Sequence, residues 1–470
     1  PENIRKTNGA ALYTLERRHS DLMEGTVNIT FNKLYQNNFN LTAGIEARKT
    51  RSYQYKTIDD LLGADHVVDL DKFAERENPG NENVKQNDLL FPNRKVYEGD
   101  IFGYDYDIDI QAVNAWLSNG FQSRNLEFYY GTKISYTDFR RVGNMRNGRF
   151  PDHSYGKGPK YDFVDFTVKA GLTYKFDGRN FLSANSAYIT EPPAPDRSYV
   201  MPRVTDRVVK GLSSGRILHN DINYVFSLPH LSGRLSLFQT NFYDHLERMN
   251  YYHDSQRTFV FHNLSGVDRK HRGIEASVTY SLNQNWNFDF IGTLAEYYYS
   301  NNPMGTMNSE NGLMVNLEEK VYMKNLFVSG TPQAAGIFAA RYFYDYWFLE
   351  MSGNLVSWNY MSSAALRRMA SVYSTVNPYQ DSYESYRKLT SQERLKGNFT
   401  LDASVGKLIY LRNRRALNFN LSIMNLLNQK NVGTGGYEQG RLDLVYPDRF
   451  NSRYFYMQGF NVFFNTSYRF

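Results

Sequence analysis

The sequence predicts an all-β chain, a transmembrane antiparallel β-barrel with long extracellular loops and short periplasmic turns. Three observations predict it. First, the final segment alternates. Phe460, Val462, Phe464, Thr466, Tyr468 and Phe470 interleave with Asn461, Phe463, Asn465, Ser467 and Arg469. Successive strand side chains point to opposite faces, so one face is apolar and the other mostly polar, over about the length a tilted strand needs to cross a bilayer. Second, this alternation recurs between connections that are by turns short and long, the asymmetry of outer-membrane barrels. Third, the 470 residues include 38 Tyr and 32 Phe, yet the mean hydropathy is -0.58. Apolar residues are therefore spread singly along strands, and no apolar run reaches the ~18 residues of a membrane helix.

The elements follow in order. Residues 1–23 are weakly patterned, with one frayed strand near Ala10–Leu15. Val27, Ile29 and Phe31 then alternate with Asn28, Thr30 and Asn32, a turn follows at Gln36–Asn38, and Phe39 to Arg48 returns as the second arm of a hairpin. Residues 50–103 read as a large charged loop. Strands resume over Tyr104–Leu117 and Asn125–Phe139, and a second long loop covers 140–160. The clearest strand sets Phe166, Val168, Ala170, Leu172, Tyr174 and Phe176 against Asp165, Thr167, Lys169, Gly171, Thr173 and Lys175. Asp177–Asn180 turns it into Phe181–Thr190.

After a Pro-rich loop (191–215) come Ile217–Leu228 and Gly233–His245, a loop near 246–270, then Gly273–Leu282 and Trp286–Tyr299. Loop 300–333 leads to Ala334–Tyr344 and Trp347–Asn359; loop 359–397 leads to Asn398–Leu411 and Ala416–Leu427; loop 429–453 precedes the last strand. The total is about fifteen or sixteen strands, all in one barrel domain over 1–470. The outward residues should meet lipid, with Tyr174, Tyr280, Trp286 and Tyr468 in the interfacial girdles. The C-terminus then lies on the periplasmic side of the cell outer membrane.

Composition and motifs bound the chemistry. The chain has no Cys, which excludes disulfides and Cys-based metal sites, and its formal charge of +6 gives no reason to expect nucleic acid. No phosphate-cradling loop, dinucleotide fingerprint or His pair at metal spacing is present, so neither an enzyme nor a cofactor is expected. Gly211-Leu212-Ser213-Ser214-Gly215 has the spacing of a nucleophile elbow, but that motif needs a strand before it and a helix after it, and this one ends a Pro-rich loop. The acidic loop Asp69–Asn83 does not match the spacing of a calcium-binding loop. Asp105, Asp107 and Asp109 stand at period two and are expected to line the lumen, as a solvated wall or as a site for a cation, a sugar or a basic surface. Arg140, Arg141, Arg146 and Arg149 lie in a long loop, as a solvated surface or as contacts for lipopolysaccharide or an anionic ligand.

Several stretches resemble TonB-dependent outer-membrane receptors. They are Arg272–Ala276 ahead of a strand-turn-strand, the segment Asn425-Leu426-Leu427-Asn428 after an alternating strand, Gly435–Arg441, Arg453–Gly459 and the ending Tyr468-Arg469-Phe470. The resemblance is strongest from Arg272 to Phe470 and is a matter of strand rhythm before that. It implies a barrel of about twenty-two strands around an N-terminal plug, with an energising inner-membrane protein pulling on that plug. The sequence contains no plug and no coupling box, so the expectation is the C-terminal barrel portion of a longer receptor. No ligand residue carries over.

Three functions remain open. One is energy-coupled uptake of a scarce nutrient such as an oligosaccharide, peptide or metal chelate. The second is passive diffusion through a porin-sized pore. The third is a structural or docking barrel in an outer-membrane assembly. Expected partners are outer-membrane lipid and lipopolysaccharide, the TonB-type protein acting through a plug outside this chain, and a surface lipoprotein.

Overall fold

The computed structural model describes residues 9–35, 38–78, 80–253, 258–312, 314–315, 317–375, 384, 387, 390–443, 446 and 449–470. An eighteen-stranded antiparallel sheet dominates it, and three of those strands are short additions at the loop end, Gly156–Lys157, Met304–Ser309 and Leu317–Lys320. The others run in sequence order as a meander. They are β1 (Leu15–Leu34), β2 (Phe39–Asp60), β3 (Ile101–Gln122), β4 (Leu126–Gly143), β5 (Tyr161–Lys175), β6 (Asn180–Glu191), β7 (Gly215–Ser227) and β8 (Leu231–His253). They continue as β9 (Thr258–Ser281), β10 (Trp286–Tyr299), β11 (Ala334–Tyr344), β12 (Trp347–Ser357), β13 (Asn398–Tyr410), β14 (Ala416–Met424) and β15 (Asn461–Arg469). Each pairs with its neighbours in the chain. β1 pairs only with β2, and β15 only with β14, so both outer edges lack a ladder partner among the described residues.

The register confirms the facing of the apolar belt. Val27, Ile29 and Phe31 on β1, Val164, Phe166, Val168 and Leu172 on β5, and Val462 and Phe464 on β15 are all exposed on the outward face. Tyr174, Tyr280 and Tyr468 are exposed on it near the short-turn end, and Trp286 starts β10 there. The other face carries a polar lattice. Asn223 accepts from Arg234 and Ser236, Asn185 donates to Asp221, Asn354 donates to Asp402, and Arg341 pairs with Asp289 at 2.6 Å. Gly44 belongs to this interior: a Cβ there would lie 2.6 Å from the Trp116 ring. The terminal Phe470 is 92% exposed and meets Tyr468 edge-on.

Several long connections are more ordered than loops. β1 begins at Leu15 and β2 runs to Asp60, so the pair stands far above the belt. Within the predicted 50–103 loop lies a helix, α1 (Lys72–Glu77), capped by the Asp71 carboxylate, which accepts from the Phe73 and Ala74 amides. The predicted loop near 246–270 is instead a tall hairpin, because β8 and β9 stay paired from the belt to His253 and Thr258. Bulges between Phe242 and Glu247 carry the extra residues. The predicted turn at Gln36–Asn38 falls mostly outside the described residues.

This hairpin carries a second core. Val260, Leu264 and Met307 pack there on Val321, Met323 and Met369 from the loops. His262 is fully buried beside them, with neither ring nitrogen hydrogen-bonded. Burial holds its pKa down at about 4 against the ordinary 6.5. Above pH 6.5 the ring is neutral whether folded or not, so pH has no effect through it. As pH falls from 6.5 toward 4 the unfolded segment gains a proton that the folded one refuses, and stability is lost, by about 3 kcal/mol at full extent. Protection factors of the Met304–Ser309 amides, which divide out the intrinsic pH dependence of exchange, should therefore fall over that range. His262→Leu should flatten that fall; an unchanged pH profile of the protection factors would show that His262 is not its source.

Candidate functional site

At the long-loop end the interior faces of β1, β2 and β3 meet three other segments: α1, the connection 192–214 and the β8–β9 hairpin. They enclose a cleft of about 690 Å³, adjoined by a second of about 300 Å³ that shares Glu16, Arg18, Lys56, Phe73, Tyr104, Arg203 and Glu310. Strand periodicity presents Glu16, Arg18 and Ser20 together from β1, with Ser52, Gln54 and Lys56 from β2 and Tyr104, Tyr106 and Ile108 from β3. Phe259 and Phe261 come from β9, and Arg248 and Asn250 from β8.

Cations and rings are interleaved here. Glu16 bridges Arg18 at 2.6 Å and Lys56 at 2.9 Å. Burial pushes its carboxyl up, but those two cations outweigh it and the net shift is downward. The Lys56 ammonium also lies 4.1 Å over the Phe102 ring. Arg203 lies 5.0 Å over the Tyr104 ring and has no ion pair among the described residues. Arg248 donates to the Asp196 and Tyr199 carbonyls. The lining therefore sets four cations, Arg18, Lys56, Arg203 and Arg248, against three acids, Glu16, Asp196 and Glu310, among aromatic rings.

The aspartate ladder lies elsewhere. Asp105, Asp107 and Asp109 share the outward face of Val113 and Leu117, while Tyr104, Tyr106 and Ile108 line the cleft. The expected lumen facing is thus reversed. The physical reason is parity: the pairing of β3 is uninterrupted here, so the carboxylates share the outward face, where Asp107 and Asp109 are each only 7% exposed and guanidinium groups offset Asp109, while the inward face packs under loops. Asp109 pairs with Arg51 at 2.6 Å and lies 3.8 Å from Arg140, and Asp105 accepts from Asn144. Burial raises the Asp107 pKa, with Arg51 opposing.

The arginine cluster does not form one loop surface. Arg140 and Arg141 are neighbours on a strand and point to opposite faces. Arg141 is 2% exposed, lies 4.8 Å over the Tyr106 ring and donates to the Pro202 and Ser154 carbonyls. Arg146 reaches Asp152, and Arg149 is clamped between Asp71 and Glu77 at 3.2 Å each. Asp69 is likewise taken by Arg94, so the acidic loop is cross-linked by guanidinium groups. Gly211–Gly215 leads into strand β7 and not into a helix, which removes the nucleophile-elbow reading.

The Asn425–Asn428 motif is structural. Asn425 and Asn428 both have φ of +52°, a conformation Asn tolerates better than most residues. Asn425 receives the Gln429 amide and donates to the Gln429 and Gln458 carbonyls, and Asn428 receives the Phe460 amide. The turn thereby ties the end of β14 to the start of β15. Leu426 and Leu427 are exposed. The cleft residues on β1, α1 and β9 carried no sequence signal, since they converge only through the fold.

No family model and no curated relative matches the chain. Solved structures do. The ferric yersiniabactin uptake receptor FyuA from Yersinia pestis aligns at 13% identity and TM-score 0.57, over 97% of this chain and 55% of that one. The copper transporter OprC aligns at 10% identity and TM-score 0.59, over 95% and 56%. The ferric-catecholate import receptor Fiu from E. coli K12, in its closed form, aligns at 14% identity and TM-score 0.52, over 95% and 54%. The chain thus spans about half the length of the structures it matches. At these identities the likeness establishes the fold: the chain has the strand architecture of TonB-dependent receptor barrels.

Proposed function

We propose that this chain is the wall of an outer-membrane receptor for energy-coupled uptake of a scarce nutrient, and that the cleft above the belt first holds that nutrient. The carrying observation is the cleft itself, where Arg203 and Arg248, neither in an ion pair among the described residues, stand among Phe73, Tyr104, Tyr106, Phe259 and Phe261 at the long-loop end, while Arg18 and Lys56 share Glu16. Of the three classes open to the sequence, an anionic metal chelate suits this lining better than a neutral oligosaccharide or a peptide. The likeness to an uptake receptor, an import receptor and a transporter supports the same reading.

The free edges of β1 and β15 bear on the rest of the machine. In hydrocarbon an unpaired strand edge is costly, so further strands close the wall. A plug inside it couples to the TonB-type protein, and lipopolysaccharide and a surface lipoprotein are the outer partners.

The test is uptake of a panel of ferric and cupric chelates by intact cells. Discharging the inner-membrane proton gradient should stop accumulation. Arg203→Ala and Arg248→Ala should each weaken chelate binding about tenfold or more, the worth of a charge-assisted contact. Gradient-independent entry with steady ohmic conductance in planar bilayers would replace this reading with a passive pore.

A further inference from the structure

The short-turn end holds a feature that uptake does not use. On the outward face of β11 to β14 a groove of about 610 Å³ is almost wholly apolar. Its floor is Ala340 and Ala403, which stand in one cross-strand row on either side of Met351. The adjoining row of Tyr342, Leu349, Val405 and Leu421 forms its wall toward the turns. Small side chains here leave a trough between the larger Tyr342, Leu349, Met351 and Val405.

Cations stand just below it. Lys407 is the next outward residue on β13 after Val405; its ammonium lies 5.1 Å over the Trp347 ring, bonds the Asp345 carbonyl in the adjoining turn and pairs with the Asp345 carboxylate at 3.3 Å, so the uncompensated cations are those of the β13–β14 turn. The β13–β14 turn then presents Arg412, Arg414 and Arg415, all exposed and without an ion pair among the described residues. The turn needs left-handed backbone at Asn413 and Arg414, with φ of +63° and +60°. A conformation that disfavours most side chains is thus occupied by an arginine, and one four-residue turn carries three exposed arginines.

We propose that this face is a binding site for an anionic glycerophospholipid of the periplasmic leaflet. One acyl chain lies in the Ala340–Ala403 trough, and the phosphate is held by Lys407 and the arginine turn. The order of parts along β13 matches the order of parts in the lipid: apolar trough, aromatic and ammonium at the interface, then guanidinium groups at and beyond headgroup depth. The leaflet assignment rests on the outer-membrane reading above; the lipid preference itself does not.

The experiment uses the full-length protein reconstituted in vesicles of equal phosphatidylglycerol and phosphatidylcholine. Native mass spectrometry then reads which lipid is retained. Phosphatidylglycerol should dominate, and each Arg→Gln change in the turn should lower the preference up to about fivefold, the worth of about 1 kcal/mol per surface cation. Ala403→Phe fills the trough from the lipid-facing side and should reduce retention while leaving heat-modifiable gel mobility intact. Retention unchanged in Ala403→Phe would overturn the acyl site. Loss of the preference on adding inorganic phosphate would mean a soluble-anion site instead, and equal retention of the two lipids by the unaltered protein would overturn the proposal outright. None of these outcomes depends on chelate uptake.

Discussion

Glu438→Ala should loosen the long-loop end more than any change on the barrel surface. Arg368 is fully buried in the 358–397 connection and reaches Glu438 in the 425–460 connection, with its second amino group donating at 2.7 Å. The same carboxylate accepts the Ala364 amide at 2.9 Å, and Arg368 also donates to the Ser391 carbonyl. Removing the acid leaves an uncompensated guanidinium away from water, at a cost of about 3–5 kcal/mol. Exchange of the Ala365–Arg368 and Gly433–Tyr437 amides should then rise more than about a hundredfold, while the belt strands keep their protection. Replacing both partners, Arg368→Met with Glu438→Leu, should recover part of the loss, because no buried charge is stranded. If the single and double variants exchange alike, the ion pair is not what joins the two loops.

The second large effect lies in the belt. Val168 is 49% exposed among outward residues of β5, and Thr173 on the same strand faces inward beside Glu127 and Ser183. Val168→Lys should destabilise by about 2–4 kcal/mol in lipid vesicles, because its ammonium sits at hydrocarbon depth. Thr173→Lys should cost far less, since it gains Glu127 as a neighbour in a polar interior. Urea unfolding from vesicles measures both. Equal losses would contradict the facing that organises the whole wall.

Most of the fold was legible because one physical rule repeats. Period-two alternation located the belt strands, and polar turns such as Asp177–Asn180 fixed the short connections; Asp177 accepts the Arg179 and Asn180 amides as such a turn requires. The rule failed above the membrane. There β2, β8 and β9 continue without one apolar and one polar face, β9 burying Val260 and Leu264 in the second core and Phe259 and Phe261 at the cleft, so their upper halves read as loops. The same loss of contrast reversed the facing of Asp105, Asp107 and Asp109 and made Arg140 and Arg141 look like one patch. The cleft was illegible for another reason. Arg18, Lys56, Arg203 and Arg248 lie far apart in sequence, and only strand register and loop packing bring them to one cavity.

The reversal on β3 carries a consequence of its own. Between Ile108 and Val113 the oily side of the ribbon trades places with the charged side, although no bulge interrupts the pairing there. The strand therefore records its own waterline: aliphatic side chains face out below it, and above it rings turn in and carboxylates turn out.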